Sequence, residues 1–168
     1  ELSPQVTEGL LRLPFAANRR YIQMPERRKS RVVTAGNVKI GGNNHIPVQS
    51  MLNIPAEDAE GNVKQALELQ KAGCEIIRLT VTNKEAVKTL AAVKEKVSIP
   101  VVADIHFDYR CALESVAAGA DKIRINPGNI GSDDRVKAVA DACRAKNIPI
   151  MIGVNSGSLE KDILAKYG

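Results

Sequence analysis

Two stretches of the chain repeat almost residue for residue. Ala72-Gly73-Cys74-Glu75-Ile76-Ile77-Arg78-Leu79 returns 46 positions later as Ala118-Gly119-Ala120-Asp121-Lys122-Ile123-Arg124-Ile125. A second motif interleaves with it, Ile46-Pro47-Val48, Ile99-Pro100-Val101 and Ile148-Pro149-Ile150, spaced by 53 and then 49 residues. Such periods are too long for a helical solenoid and too loose for a propeller blade, but two βα units of about 20 to 25 residues each fill them. Within the later copy, β-branched Ile123 and Ile125 alternate with Lys122, Arg124 and Asn126 before Pro127-Gly128 breaks the run. That alternation is a strand entering a turn, with Arg124 and Asn126 on one face beside backbone N–H groups that can also donate, a combination suited to holding an anion.

The remaining elements follow the same alternation. Val32-Val33-Thr34 and Val38-Lys39-Ile40 flank Ala35-Gly36-Asn37 and read as a hairpin, the kind that plugs the bottom of a barrel. Strands are expected at 48–51, 76–81, 101–105, 122–126 and 150–154, and helices at 58–72, 84–96, 109–118, from 132 to before Asn147, and from Leu159 onward. Strands separated by helix-length connections make a parallel sheet. A doubly wound sheet buries both strand faces and reads as continuous apolar runs, whereas these strands alternate, with Ile77/Leu79, Ile123/Ile125 and Ile150/Ile152/Val154 on one side. The fold class is therefore α/β, a (β/α)8 TIM barrel that is incomplete, with about five βα units present, preceded by a β-hairpin and a basic N-terminal arm. Residues 1–31 form the arm or linker, and 32–168 the N-terminal part of the barrel.

Charge and cysteines narrow the function classes. The net charge of +5 is concentrated in residues 1–31, which carry seven Arg/Lys against three Glu, so the folded part is nearly neutral. With aromatics at only 3%, a nucleic-acid groove is not expected. No apolar run reaches membrane-spanning length, and a cytoplasmic protein is expected, or a plastid one if the Arg-rich arm is the remnant of a transit peptide. Cys74, Cys111 and Cys143 are too scattered for a disulfide framework or a zinc site and read as small buried residues.

Strand parity gives an inward-facing list: Gln49 and Met51, Arg78 and Thr80, Asp104 and His106, Arg124 and Asn126, then Met151, Gly153 and Asn155. Its polar members crowd toward strand C-terminal ends, where barrel enzymes keep their active sites. His45 falls at the opposite end and reads as structural, Asn129 and Ser156 as turn formers, and Asp108, Arg110, Asp133 and Asp134 as helix-start charges.

Three motifs, Val102-Ala103-Asp104-Ile105-His106-Phe107-Asp108, Ile123-Arg124-Ile125-Asn126-Pro127-Gly128-Asn129-Ile130-Gly131 and Ile152-Gly153-Val154-Asn155-Ser156-Gly157-Ser158-Leu159-Glu160, resemble in order and spacing the 4-hydroxy-3-methylbut-2-enyl diphosphate synthase family of the non-mevalonate isoprenoid pathway. The likeness runs from about Arg28 to Gly168. It implies an eight-stranded barrel that binds 2-C-methyl-D-erythritol 2,4-cyclodiphosphate, and a separate domain whose four-iron four-sulfur cluster drives a two-electron reductive ring opening. It also implies a homodimer in which the cluster domain of one subunit caps the other's barrel, and an electron donor such as ferredoxin or flavodoxin. The cluster's ligands are not in this chain.

Carried over position by position, the resemblance makes Arg78, Arg124, Asn126 and Asn155 substrate-binding, and Asp104 and His106 catalytic. Physical chemistry supports the pattern: a cyclic diphosphate carries about two negative charges, and planar guanidiniums grip such oxygens better than lysines do. Asp104 and His106, two apart on one face, can hydrogen-bond sugar-like hydroxyls or pass a proton. The alternative reading makes Asp104 an ion-pair partner for an arginine.

The chain departs from the family at Met151, where the resemblance calls for a third phosphate-binding arginine, and at Met51-Leu52-Asn53-Ile54-Pro55, which replaces a Thr-rich loop. With five strands and no Cys-x-x-Cys, this segment alone is expected to be inactive. Two other readings stand beside this one. One is a non-catalytic phosphate-binding half-barrel or scaffold subunit. The other is a pterin-binding synthase, whose barrel looks similar but which the Asn-Pro-Gly-Asn segment disfavours.

Overall fold

A computed structural model describes residues 29–158 and 161–167. Most of the basic arm, and the start of the last helix at Leu159, lie outside the described residues. The hairpin forms from β1 (Val33–Ala35) and β2 (Val38–Ile40), joined by a two-residue turn in which Gly36 takes φ +55°, a conformation glycine adopts without penalty. The turn rests on the entrances of two later strands, for a side chain at Gly36 would meet Pro100 and Asp121 at 3.0 and 3.1 Å. The hairpin therefore sits at the N-terminal end of the sheet, as expected for a barrel plug.

The main sheet is all parallel, in the order β3 (Gln49–Met51), β4 (Ile76–Val81), β5 (Val101–Ile105), β6 (Lys122–Ile125), β7 (Ile150–Ile152). Sequential order with one helix per crossover is the winding of a barrel wall; the five strands leave β3 and β7 as open edges among the described residues. The crossovers are α1 (Ala59–Lys71), α2 (Lys84–Lys96), α3 (Tyr109–Ala117) and α5 (Asp133–Ala145), with a one-turn α4 (Pro127–Ile130) before α5. Side-chain oxygens of Asp58, Asn83 and Asp108 accept from the first-turn amides of α1, α2 and α3, each cap contributing about 1 kcal/mol.

The repeat has a structural cause. Gly73 and Gly119, at φ +92° and +91°, end α1 and α3 in the left-handed conformation that closes a helix C-terminus. Asn147 does the same after α5 at φ +54°. The acidic residue two positions past each glycine then ties down the preceding strand: Glu75 accepts from the Val48 amide at 2.8 Å, and Asp121 from the Val101 amide at 2.8 Å and from Lys94 at 2.6 Å.

Between sheet and helices lies one apolar core. Ile77, Leu79, Ile123 and Ile125 are fully buried against Ala66, Leu90, Val93, Val116 and Val139. Two expectations change at the edge. The last strand ends at Ile152 rather than Val154, and Ile152 and Val154, expected to face helices, are 56% and 64% exposed. Among the described residues nothing covers them: β7 pairs only with β6, and the closing helix α6 (Lys161–Tyr167) contains no buried residue. The Pro127-Gly128 turn is instead the short helix α4, with proline preset at its first position.

Candidate anion site on the inner sheet face

β4, β5 and β6 lie side by side, with Thr80 opposite Asp104 and Asp104 opposite Arg124, so the inward parity read from the sequence brings Arg78, Asp104 and Arg124 together. Asp104 is the hub, with 0% side-chain exposure. Its Oδ2 accepts from Arg78 Nε at 2.9 Å and from Nη2, and its Oδ1 accepts from Arg124 Nη1 at 3.1 Å. A buried carboxylate needs such partners, and both oxygens are committed. Arg78 and Arg124 keep 24% and 20% side-chain exposure, and Nη1 of Arg78 and Nε and Nη2 of Arg124 have no hydrogen-bond partner among the described residues. One carboxylate thus orients two guanidiniums and leaves donors over for a ligand.

His106, one inward step past Asp104, is more open at 36%, with Nε2 3.5 Å from Asp104 Oδ2. Gly153 brings β7 under the clamp: a methyl group there would stand 2.6 Å from Arg124 Nε, so only glycine lets the guanidinium lie where it does. Met151 is the register partner of Arg124 and is half-buried beside it.

The other expected site residues fall differently. Asn126 is 1% exposed, and its Oδ1 accepts from the Gly128 amide at 3.2 Å as the N-cap of α4. The cap engages only the side-chain oxygen, because a strand running straight into a helix leaves N–H groups that need an acceptor; the amide nitrogen expected to meet a ligand takes no part in it. Asn155 is exposed; its carbonyl accepts from Ser158 Oγ at 3.1 Å, and its amide donates to the same oxygen at 3.2 Å, holding the turn after β7. Asp104, expected to act catalytically, accepts from Arg78 with one oxygen and from Arg124 with the other, and lies 3.5 Å from His106 Nε2. His45 is remote, with Nε2 2.6 Å from Glu75 at the strands' N-terminal end, and Glu75 is held below the usual carboxylate range by the Val48 amide and then by His45.

Lys122 was not singled out by the sequence, although it shares Arg124's parity and stands two residues before it. It is 6% exposed, its ammonium reaches Gln49 Oε1 at 3.5 Å across the inner face, and burial, followed by the nearby Arg78 charge, lowers its pKa.

Two cavities open near the strand C-terminal ends. One of about 410 Å³ is lined by Phe107, Asp108, Tyr109, Arg110 and Arg135. Another of about 380 Å³ lies between the loop after β3 and the end of β4, lined by Asn53, Glu57, Thr80 and Thr82 among others. Neither includes Arg78 or Arg124, which lie on the open inner face. Among the described residues no group of three His, Cys, Asp or Glu could hold a metal ion, and Cys74, Cys111 and Cys143 are separate, buried thiols. No helix among them is long and apolar enough to cross a membrane.

Comparison with known proteins bears on the family and the fold. A protein of Fusobacterium nucleatum named 4-hydroxy-3-methylbut-2-en-1-yl diphosphate synthase (flavodoxin) is 57% identical over 141 residues, covering 84% of this chain and 40% of the relative. Proteins of the same name from Clostridium perfringens and Listeria monocytogenes are 52% and 53% identical over 142 residues, covering 84% of this chain and 41% and 39% of theirs. The chain thus spans about 40% of the length of these relatives. Among solved structures, dihydropteroate synthase from Xanthomonas albilineans superimposes with a TM-score of 0.60 over 82% of this chain and 54% of its own, at 17% identity. That from Yersinia pestis gives 0.59 over 80% and 51%, at 16% identity. At such identities the likeness shows a shared barrel fold alone. The family described as the GcpE TIM-barrel domain matches residues 30–168, and with the parallel wall and these relatives it places the chain in that family.

Proposed function

We propose that this chain supplies the diphosphate-binding wall of a barrel that reductively opens 2-C-methyl-D-erythritol 2,4-cyclodiphosphate to 4-hydroxy-3-methylbut-2-enyl diphosphate. The observation that carries the reading is the sharing of one buried carboxylate by Arg78 and Arg124, which puts two guanidiniums within reach of a single small anion. The relatives' name supplies the reaction. In this reading Asp104 is a positioning residue that keeps both guanidiniums preorganised, so the anion finds them already oriented. His106, beside the clamp and partly open, is the group placed to give a proton to a substrate oxygen. Asn155 offers its exposed amide at the rim, and Asn126 shapes the α4 turn from below.

The family's four-iron four-sulfur cluster does not fit the residues of this chain, whose thiols are buried and apart, so cluster chemistry is assigned to no residue here. The intact protein is proposed to work as a homodimer in the cytoplasm, with the cluster domain arriving from elsewhere and flavodoxin as the electron donor, the latter supported by the relatives' name.

Calorimetric titration of the cyclic diphosphate into the intact protein, with and without Met151→Arg, tests the reading. The wild type is expected to bind. A guanidinium restored beside Arg124 should tighten binding about tenfold or more, the value of one charge-assisted hydrogen bond. Absence of binding to either form contradicts it.

A further inference from the structure

Around the clamp the charges do not balance. Asp104 neutralises one of two guanidiniums, while Lys122, on the same face and two residues before Arg124, adds a third cation with no carboxylate within ion-pair distance among the described residues. Its single hydrogen bond among the described residues, to Gln49, is long at 3.5 Å. A lysine buried to this extent normally carries an acidic partner, and burial without one costs free energy unless something else repays it.

We propose that Lys122 is a third cationic element of the anion site, acting on a bound diphosphate through its charge from beneath Arg78 and Arg124, with Gln49 holding it on the inner face. Resting on the diphosphate reading of the clamp, it says which anions the site prefers. Two guanidiniums and one ammonium against one carboxylate leave an excess of two positive charges, matching the roughly two negative charges of a cyclic diphosphate. The buried ammonium is tolerated because the ligand completes its neutralisation. The direction of its pKa agrees: ligand-free burial disfavours the charged form, which a bound anion would restore.

The test uses pyrophosphate and orthophosphate as probes, titrated into the intact protein, its Lys122→Met variant and its Gln49→Glu variant. The glutamate neutralises Lys122 without removing it. Two residues along a strand separate Lys122 from the clamp by about 7 Å, so loss of the charge should weaken pyrophosphate binding about tenfold and the less charged orthophosphate by less. Both variants should also melt at a higher temperature than the wild type, since a buried uncompensated charge has been relieved; a purely structural lysine gives the reverse. If Lys122→Met fails to fold, Gln49→Glu decides alone. Wild-type affinities retained in the folded variants overturn the inference and leave the clamp intact. If the wild type binds neither probe nor the cyclic diphosphate, the clamp reading fails and takes the inference with it.

Discussion

Asp104 stands on the inward face of β5 between guanidiniums from the two neighbouring strands. The structure makes it the shared counter-ion of Arg78 and Arg124, fully buried between donors that keep about a fifth of their exposure. Removing one member of a buried pair costs about 3 to 5 kcal/mol, and the partial exposure of the guanidiniums points to the lower end. Asp104→Asn is therefore expected to destabilise the fold by about 3 kcal/mol in urea denaturation, and to lower anion affinity because the arginines lose their fixed orientation. Gly153→Ala should separate the two effects. The added methyl displaces the Arg124 guanidinium from Asp104 while Arg78 stays paired, so pyrophosphate affinity should fall about tenfold with a smaller loss of stability than Asp104→Asn causes. Lys122 escaped the sequence reading for a chemical reason: lysine at the start of a strand is ordinarily solvated, and only the folded sheet shows that this one is buried against the inner face.

Most elements could be read directly. The bounds expected for β4 and α2 match those observed, because a strand rich in β-branched residues and a helix with Asn83 as its cap each carry their own boundary signals. The repeat was visible as a pattern, but its meaning is a tertiary one: Glu75 and Asp121 are clasps that hold the entrance of the preceding strand. Asp121→Ala should remove the acceptor of the Val101 amide and the Lys94 partner, and unsettle the hairpin turn at Gly36. A loss of about 1 to 3 kcal/mol in denaturant unfolding is expected, with little direct effect on the clamp at the other end of the strands. The α4 turn was missed because four residues give no periodicity, and the capping use of the Asn126 oxygen went unread because an asparagine before a proline suits a turn as well as a cap.

For the molecule as a whole, the barrel class followed from alternating strands, and the sequential parallel order confirms the winding. What periodicity could not foretell is the state of the edges, where Ile46, Val48, Ile152 and Val154 stand exposed beside β3 and β7. Those apolar groups and the open strand edges suit further strands of the barrel, and the same wall carries the clamp on its inner face. Folding thus brings together arginines 46 positions apart in sequence, placed to act on one anion. A double-mutant cycle on pyrophosphate affinity, with wild type, Arg78→Gln, Arg124→Gln and the double variant, measures this directly. Each single change should weaken binding at least about tenfold, and the double change by less than the product of the two, because the donors share one ligand. Single variants that bind as tightly as the wild type, or losses that multiply independently, would contradict it.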